Sequence, residues 1–163
     1  MIITLTINPS VDRNVFVDRL VFEDRAYILS RSDSAGGRGI NASRVIHSFG
    51  SKTLAVVTSG GPNGEQLEKL LGKAGFPVKV VAIKNEIRNN FTITDRQGLA
   101  VKLNERGPAI SPEELASVEK TIESRLEGAS WLMLCGSIPP DVSPDFYTKL
   151  IRMAREKRVK TLL

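Results

Sequence analysis

Hydrophobic positions along the chain switch between two periods, one of strands and one of helices. The run "IITLTIN" (2–8) is β-branched and closed by Asn8-Pro9, which predicts a strand entering a turn. "RAYILSRS" (25–32) predicts a second strand. Ile40, Val45, Ile46 and Phe49 recur at helical spacing, so a helix is expected over 40–49 with Gly50 as its C-terminal cap. "TLAVVTSG" (53–60) reads as a buried strand. A helix follows from about Asn63, with Leu67, Leu70, Leu71 and Ala74 on one face and Gly75 at its end. "VKVVAI" (78–83) is the next strand.

Residues 91–103 carry a different pattern. Phe91, Ile93, Leu99, Val101 and Leu103 alternate with more polar neighbours across "DRQG", which predicts a hairpin with one wet face. Ser111-Pro112-Glu113-Glu114 is a helix start: a capping serine, proline at the first helical position, and a glutamate placed for a capping box. Leu115, Val118, Ile122 and Leu126 carry that helix to Gly128. "WLMLCGS" (131–137) is a nearly continuous apolar strand, as parallel sheets require. Ser143-Pro144 opens a last helix with Phe146, Leu150 and Met153 inward, and "VKTLL" (159–163) begins a strand.

Strands alternating with helices imply an α/β fold with an open, mainly parallel sheet. The two amphipathic β segments do not fit that layer and suit a small separate sheet over one end of it, like a lid. Because the last apolar run reads as a strand cut short, the sequence is expected to be part of a longer domain.

Composition narrows the function classes. At 163 residues one domain is expected, and such a chain buries roughly 70% of its unfolded surface. Hydrophobic content of 41% and charged content of 25% are those of an ordinary soluble protein. No apolar run approaches membrane-spanning length and the first residues lack a signal-peptide pattern, so no membrane partner is expected. The single cysteine, Cys135, has no partner for an internal disulfide, and a cytoplasmic location follows as the simplest expectation. The net charge of +5 suits an anionic partner. Nucleic acid is not expected: the arginines are scattered and aromatics make up only 6%, whereas a phosphate on a small molecule fits.

The stretch "SAGGRGINASRVIHSFG" (34–50) concentrates the candidate chemistry. Glycines let a backbone turn tightly and let an anion reach backbone N–H groups. The helix that starts there points its positive end at the same spot. Arg38 adds a fork of donors suited to phosphate or carboxylate, and Asn41 both donates and accepts, which suits a sugar hydroxyl. A plain glycine-rich turn feeding a helix, with Arg38 in solvent, accounts for the cluster equally well. A dinucleotide fingerprint is formally matched by Gly37 to Ala42, but the acid it needs about 20 residues on is replaced by Thr58-Ser59-Gly60-Gly61. A Walker loop fails because Ser51, not glycine, precedes Lys52. His47 lacks a ligand set and reads as a helix-margin residue, Cys135 as a small buried hydrophobe, and Trp131 as core; no metal site is expected.

A larger pattern is more specific. Gly36-Gly37-Arg38-Gly39 is followed by Asn41, Ser43, Gly50 and Gly60, and "TINPSVD" (6–12), "GGPNGE" (60–65), "NERGPAIS" (104–111) and "CGSIPPDV" (135–142) occur in order. Together they resemble the PfkB (ribokinase-like) carbohydrate kinases, and most of all the 1-phosphofructokinase and tagatose-6-phosphate kinase branch. The resemblance runs along all of residues 1–163 and implies the N-terminal part of a ribokinase-like domain: an incomplete three-layer α/β/α core with a small β-sheet lid from about 13–33 and 88–105. It implies ATP-dependent transfer of a phosphoryl group to a ketohexose phosphate, with fructose 1-phosphate, tagatose 6-phosphate and fructose 6-phosphate as candidates, and lids that pair in a homodimer.

The same resemblance implies roles. Asp12 would accept hydrogen bonds from sugar hydroxyls, although a tight turn also accounts for Asn8, Pro9, Ser10 and Asp12. Gly36, Gly37 and Gly39 would give a sugar close backbone approach, and Asn41 would bind its hydroxyls. Arg88 would hold the substrate's phosphate, with Arg25 reaching it from the lid. Asn90, Asn104 and Ser137 would line the pocket. Arg38 stands where this branch usually has lysine, so the phosphate contact and the substrate choice stay open. The family's second signature, a Gly-Ala-Gly-Asp-type segment with the catalytic base, has no match, and no Gly-Asp pair occurs. ATP and Mg2+ are therefore expected of a complete enzyme and not of these residues, which would hold the sugar half and no catalytic residue. The alternative is a non-catalytic sugar-phosphate-binding or dimerisation module.

Overall fold

The computed structural model describes residues 1–163 and contains two sheets and four helices. The strands are β1 (Ile2–Thr6), β2 (Ser10–Val17), β3 (Ile28–Gly36), β4 (Thr53–Ser59), β5 (Val78–Ala82), β6 (Arg88–Thr94), β7 (Ala100–Asn104), β8 (Trp131–Leu134) and β9 (Lys160–Leu162). The helices are α1 (Arg38–Ser48), α2 (Gly61–Leu71), α3 (Pro112–Leu126) and α4 (Asp145–Glu156). The first sheet runs β5-β4-β1-β8-β9, and every pairing in it is parallel. Right-handed crossovers put α1 and α2 on one face and α3 and α4 on the other, giving three layers. No helix is long and apolar enough to cross a membrane.

Burial explains the strand compositions. Ile3, Leu5, Val56, Val57 and Leu132 are fully buried because β1, β4 and β8 are flanked by neighbours and covered on both faces. The capping box forms as expected: Ser111 Oγ accepts from Glu114 N at 3.3 Å, and Glu114 Oε2 accepts from Ser111 N at 2.8 Å. The other oxygen of Glu114 accepts from Lys84 N at 2.6 Å, so one carboxylate also ties α3 to the loop after β5.

The α1 helix departs from its expected stripe. Ile40 is buried, but Val45 is 55% and Phe49 83% exposed. The helix is anchored instead by small and polar groups: Ser43, fully buried, bonds Thr4 Oγ1 at 2.9 Å and Thr53 Oγ1 at 2.8 Å. Helical spacing reports an apolar side, but only packing decides which residues on it are covered. Trp131 likewise is half-buried rather than core, because only the edge strand β9 lies beyond it, with Lys160 Nζ 5.5 Å from the ring centroid.

The second sheet runs β3-β2-β6-β7, with β2 and β6 parallel and the outer pairings antiparallel. The chain bends at Asn8 and resumes a strand at Ser10, so of the residues a tight turn would explain, Ser10 and Asp12 belong to β2 while Asn8 and Pro9 precede it, and the strand expected at 25–32 runs 28–36. The sequence "SVDRNVFV" hides this strand because one of its faces is polar for a reason visible only in three dimensions. Register fixes that face: Asp12 lies opposite Ser34 and Asn90, and Asn14 opposite Ser32 and Thr92. The other face carries Val15, Phe91, Ile93, Val101 and Leu103.

Candidate functional site

The polar face of the second sheet closes over the carboxyl ends of β1 and β8 and the N-terminus of α1, the usual place for a ligand in an open α/β sheet. The cleft between them measures about 340 Å3 and has no hydrophobic side chain in its wall. It is lined by Thr6, Asn8, Ser10, Asp12, Gly37, Arg38, Asn41, Arg88, Asn90, Asn104, Gly136 and Ser137. It continues into a hollow of about 410 Å3 along the sheet, reaching Asn14, Thr92, Arg44 and Lys102. A groove of about 500 Å3 between α2 and β5 is larger, but Leu71, Phe76, Val78 and Val80 wall it and no polar groups converge there.

Asp12 is the only acidic side chain on the cleft. Its Oδ1 accepts from Ser10 Oγ at 2.7 Å and from Asn90 Nδ2 at 2.9 Å, which leaves Oδ2 for another donor. Arg88 lies at the junction of the two sheets. Its Nη1 donates to Glu105 O at 3.0 Å and its Nη2 to Asn8 O at 3.1 Å. Burial lowers the Arg88 pKa, and the charges of Asp12 and Glu105 work against that shift, so the guanidinium stays charged at neutral pH.

Several buried polar atoms around this cleft lack partners: Arg88 Nε, Asn8 Oδ1 and Asn90 Oδ1. Asn8 Nδ2 is engaged by Arg106 O at 2.9 Å and by Ser137 Oγ at 3.3 Å, so its amide is held in one orientation. These atoms are closed off from solvent, Asn8 Oδ1 lying against Gly107, so they belong to the packing behind the wall and not to its open surface.

The expected residues distribute as follows. Asp12, Gly37, Arg38, Asn41, Arg88, Asn90, Asn104 and Ser137 come together in the wall. Asn41 Oδ1 accepts from Arg44 Nη1 at 2.9 Å, leaving its amide N–H groups to the cleft. Gly36 and Gly39 stand outside the wall, and the room their missing side chains leave is filled by protein. A Cβ on Gly39 would lie 2.5 Å from Thr6 Oγ1 and 2.8 Å from Leu5 O, and one on Gly36 would collide with Asp12 and Ser10. Gly37 is the linker, at φ 135°, and a Cβ there would lie 2.5 Å from Thr6 Cγ2. Thr6 uses the closeness: its Oγ1 accepts from Ile40 N at 3.1 Å, satisfying a donor of the first turn of α1.

Arg25 is a correction. It is not brought to the cleft; its side chain is 78% exposed, 4.0 Å from Asp24. Roughly 17 Å of extended strand separates Asp12 from Val17, and Arg25 lies beyond that far end. The segment is held there by Asp18, which accepts from Tyr27 N at 2.8 Å, and by Asp95, which accepts from Leu20 N at 3.1 Å.

Thr6, Asn8, Ser10 and Gly136 belong to the wall without having been assigned a site role from sequence. The spacing Ser10-Val11-Asp12 is the signal that could have found Ser10, since alternate residues of a strand share a face. Cys135 is half-buried; burial raises its thiol pKa against the pull of Arg38, and the nearby Tyr147 hydroxyl is pushed up to about 12 by burial. Neither is poised as a nucleophile. No group of three His, Cys, Asp or Glu side chains is arranged to hold a metal ion.

Comparison with known proteins agrees with this architecture. The chain is 30% identical over all 163 residues to a tagatose-6-phosphate kinase of Staphylococcus epidermidis, of which it covers 52%. Among solved structures it matches Escherichia coli phosphofructokinase-2 in complex with fructose-6-phosphate, with a TM-score of 0.92 and 29% identity over 99% of this chain and 53% of that one. It also matches a possible 1-phosphofructokinase of Thermotoga maritima, with a TM-score of 0.88 and 28% identity over 99% of this chain and 52% of that one. The chain thus spans about half the length of these relatives and shares the ribokinase-like fold of the phosphofructokinases. With the pfkB family carbohydrate kinase pattern matched over residues 5–163, the chain belongs to the pfkB family.

Proposed function

We propose that these residues form the sugar-phosphate-binding half of an ATP-dependent ketohexose-phosphate kinase, and that they transfer no phosphoryl group on their own. The observation that carries the reading is a cleft without a hydrophobic wall residue, on which the carboxylate of Asp12, the guanidinium groups of Arg38 and Arg88 and the amides of Asn41, Asn90 and Asn104 converge. A hydroxyl-rich anion matches that set of donors and acceptors. The Oδ2 of Asp12 accepts from sugar hydroxyls, Asn41 and Asn90 read others, and Arg88 and Arg38 face the phosphate. The relatives named for tagatose 6-phosphate and fructose 6-phosphate support this class, with fructose 1-phosphate as the third candidate.

ATP and Mg2+ do not fit this cleft. Its wall offers no apolar or aromatic side chain to an adenine and only a single carboxylate, that of Asp12, to a cation. The nucleotide and the general base belong to the remaining half of a complete kinase. The apolar face of the second sheet, with Leu103 54% exposed, supports pairing of two lids in a homodimer, and a tetrameric form is known for Escherichia coli phosphofructokinase-2.

The test is calorimetric titration with tagatose 6-phosphate, fructose 6-phosphate and fructose 1-phosphate, with fructose as the comparison, beside a coupled kinase assay. Saturable binding that requires the phosphate, without turnover, is expected. Turnover by this chain, or equal binding of fructose, would overturn the reading.

A further inference from the structure

Arg13 follows Asp12 in β2 and points to the opposite face of the sheet, where it gathers three partners. Its Nε donates to Asn89 Oδ1 at 2.8 Å, its Nη1 to Asp33 Oδ2 at 3.1 Å, and its Nη2 to Asn63 Oδ1 at 3.1 Å. Asn89 and Asp33 lie in β6 and β3, the two neighbours of β2. Asn63 lies in the first turn of α2, which belongs to the layer over the other sheet. One guanidinium therefore ties three strands of the small sheet to the core.

Asn63 is itself held on the core side. Its N–H donates to Glu86 Oε1 at 3.0 Å and its Nδ2 to Ile87 O at 3.2 Å. On the other side Asp33 Oδ1 is buried without a partner, so Arg13 is the one cation that compensates this carboxylate. A planar fork with fixed donor directions transmits orientation as well as attraction.

We propose that Arg13 is a positioning residue: through Asn63 it sets the angle of the small sheet on the core, and so the approach of Asp12 and Asn90 to the entrance of α1. The strut acts on the strand whose next residue is Asp12, so a change of sheet angle moves Asp12 relative to Asn41. The proposal rests on the reading of the cleft as a sugar-phosphate site.

Hydrogen exchange and calorimetry on the 163-residue chain test it with three variants. Asn63→Ala removes the acceptor for Arg13 together with the donor to Ile87 O, and leaves Arg13, Asp33 and Asn89 in place. Asn63→Asp keeps an acceptor for Arg13 and removes the donor to Ile87. Arg13→Lys keeps the charge beside Asp33 and loses the fork. Asn63→Ala and Arg13→Lys are expected to speed exchange in β2 and β6 about tenfold, the effect of losing one or two hydrogen bonds, with β1 and β4 unchanged. Both should weaken tagatose 6-phosphate binding by a similar factor at an unchanged urea midpoint, their combination should exceed neither single change, and Asn63→Asp should behave as the parent. Unchanged exchange in β2 and β6, equal acceleration in β1 and β4, or additive effects would overturn the strut. Absence of binding by the parent chain would instead overturn the reading of the cleft, and the exchange results would still decide the strut.

Discussion

Asp12 and Arg13 are neighbours on one strand, and their side chains serve opposite faces of the same sheet. Asp12 receives Asn90 at 2.9 Å inside the cleft, while Arg13 holds Asp33 at 3.1 Å and Asn63 at 3.1 Å outside it. The strand period of two puts a binding residue and its support side by side in sequence.

Asp12→Asn is expected to keep the fold, because Asp12 is only half-buried, and to remove the one charged acceptor of the cleft. Hydrogen bonds to a charged group contribute about 1.5–3 kcal/mol, so sugar-phosphate affinity should fall between about tenfold and a hundredfold. Calorimetry with circular dichroism as the folding control checks this.

Arg88→Lys keeps the charge and loses the fork that spans Glu105 O and Asn8 O. The preference for a phosphorylated sugar over its unphosphorylated form should shrink by about tenfold, the worth of one charge-assisted bond. Paired titrations with tagatose 6-phosphate and tagatose measure it. An unchanged ratio would remove Arg88 from the phosphate contact.

Two glycines separate crowding from backbone strain. Gly39→Ala forces a methyl group against Thr6 Oγ1 and Leu5 O and should cost about 1–3 kcal/mol by overpacking. Gly50 has φ +75° and nothing within 4 Å of an added Cβ, so Gly50→Ala should cost only the left-handed conformation, about 1 kcal/mol. Urea denaturation of both variants gives the comparison.

Asp95 carries a pH dependence of the hairpin between β6 and β7. Burial, at 3% exposure, pushes its carboxyl pKa up, but backbone N–H groups of Leu20, Leu99, Gln97 and Gly98 outweigh it and hold the pKa below its ordinary value of 3.8. A depressed folded-state pKa means the stabilisation is complete above the ordinary value and is lost as pH falls through the folded one. The amides of Leu20, Gln97 and Leu99 should therefore stay protected down to about pH 4 and exchange faster below it, and Asp95→Asn should abolish that pH step. Exchange followed by NMR from pH 6 to pH 2 reads it.

Apart from β2, the order of strands and helices was legible along the chain because each signal is local. The apolar run at 131–134, the capping residues Ser111 and Glu114, and the alternation through Phe91 and Val101 act within a few residues of themselves. The glycine cluster at 36–39 was not enough for the family by itself; the stretches 6–12, 60–65, 104–111 and 135–142, in order with it, were. Helix α1 marks where local signals stop, since Val45 and Phe49 have helical spacing and yet remain exposed.

What the sequence determined by itself was therefore the periodicity, the caps and the residue types of a polar, cation-bearing cleft. Tertiary structure alone decided which residues meet. The parallel pairing of β2 with β6 joins Asp12 to Asn90 across 78 positions, and no propensity of either segment encodes that partner. The same holds for Thr6 against Gly39, for Arg88 on two backbone carbonyls, for the distance of Arg25 from the cleft, and for Arg13 on Asn63. Each depends on the close approach of segments far apart in sequence, where excluded volume and unmet hydrogen bonds choose the partner.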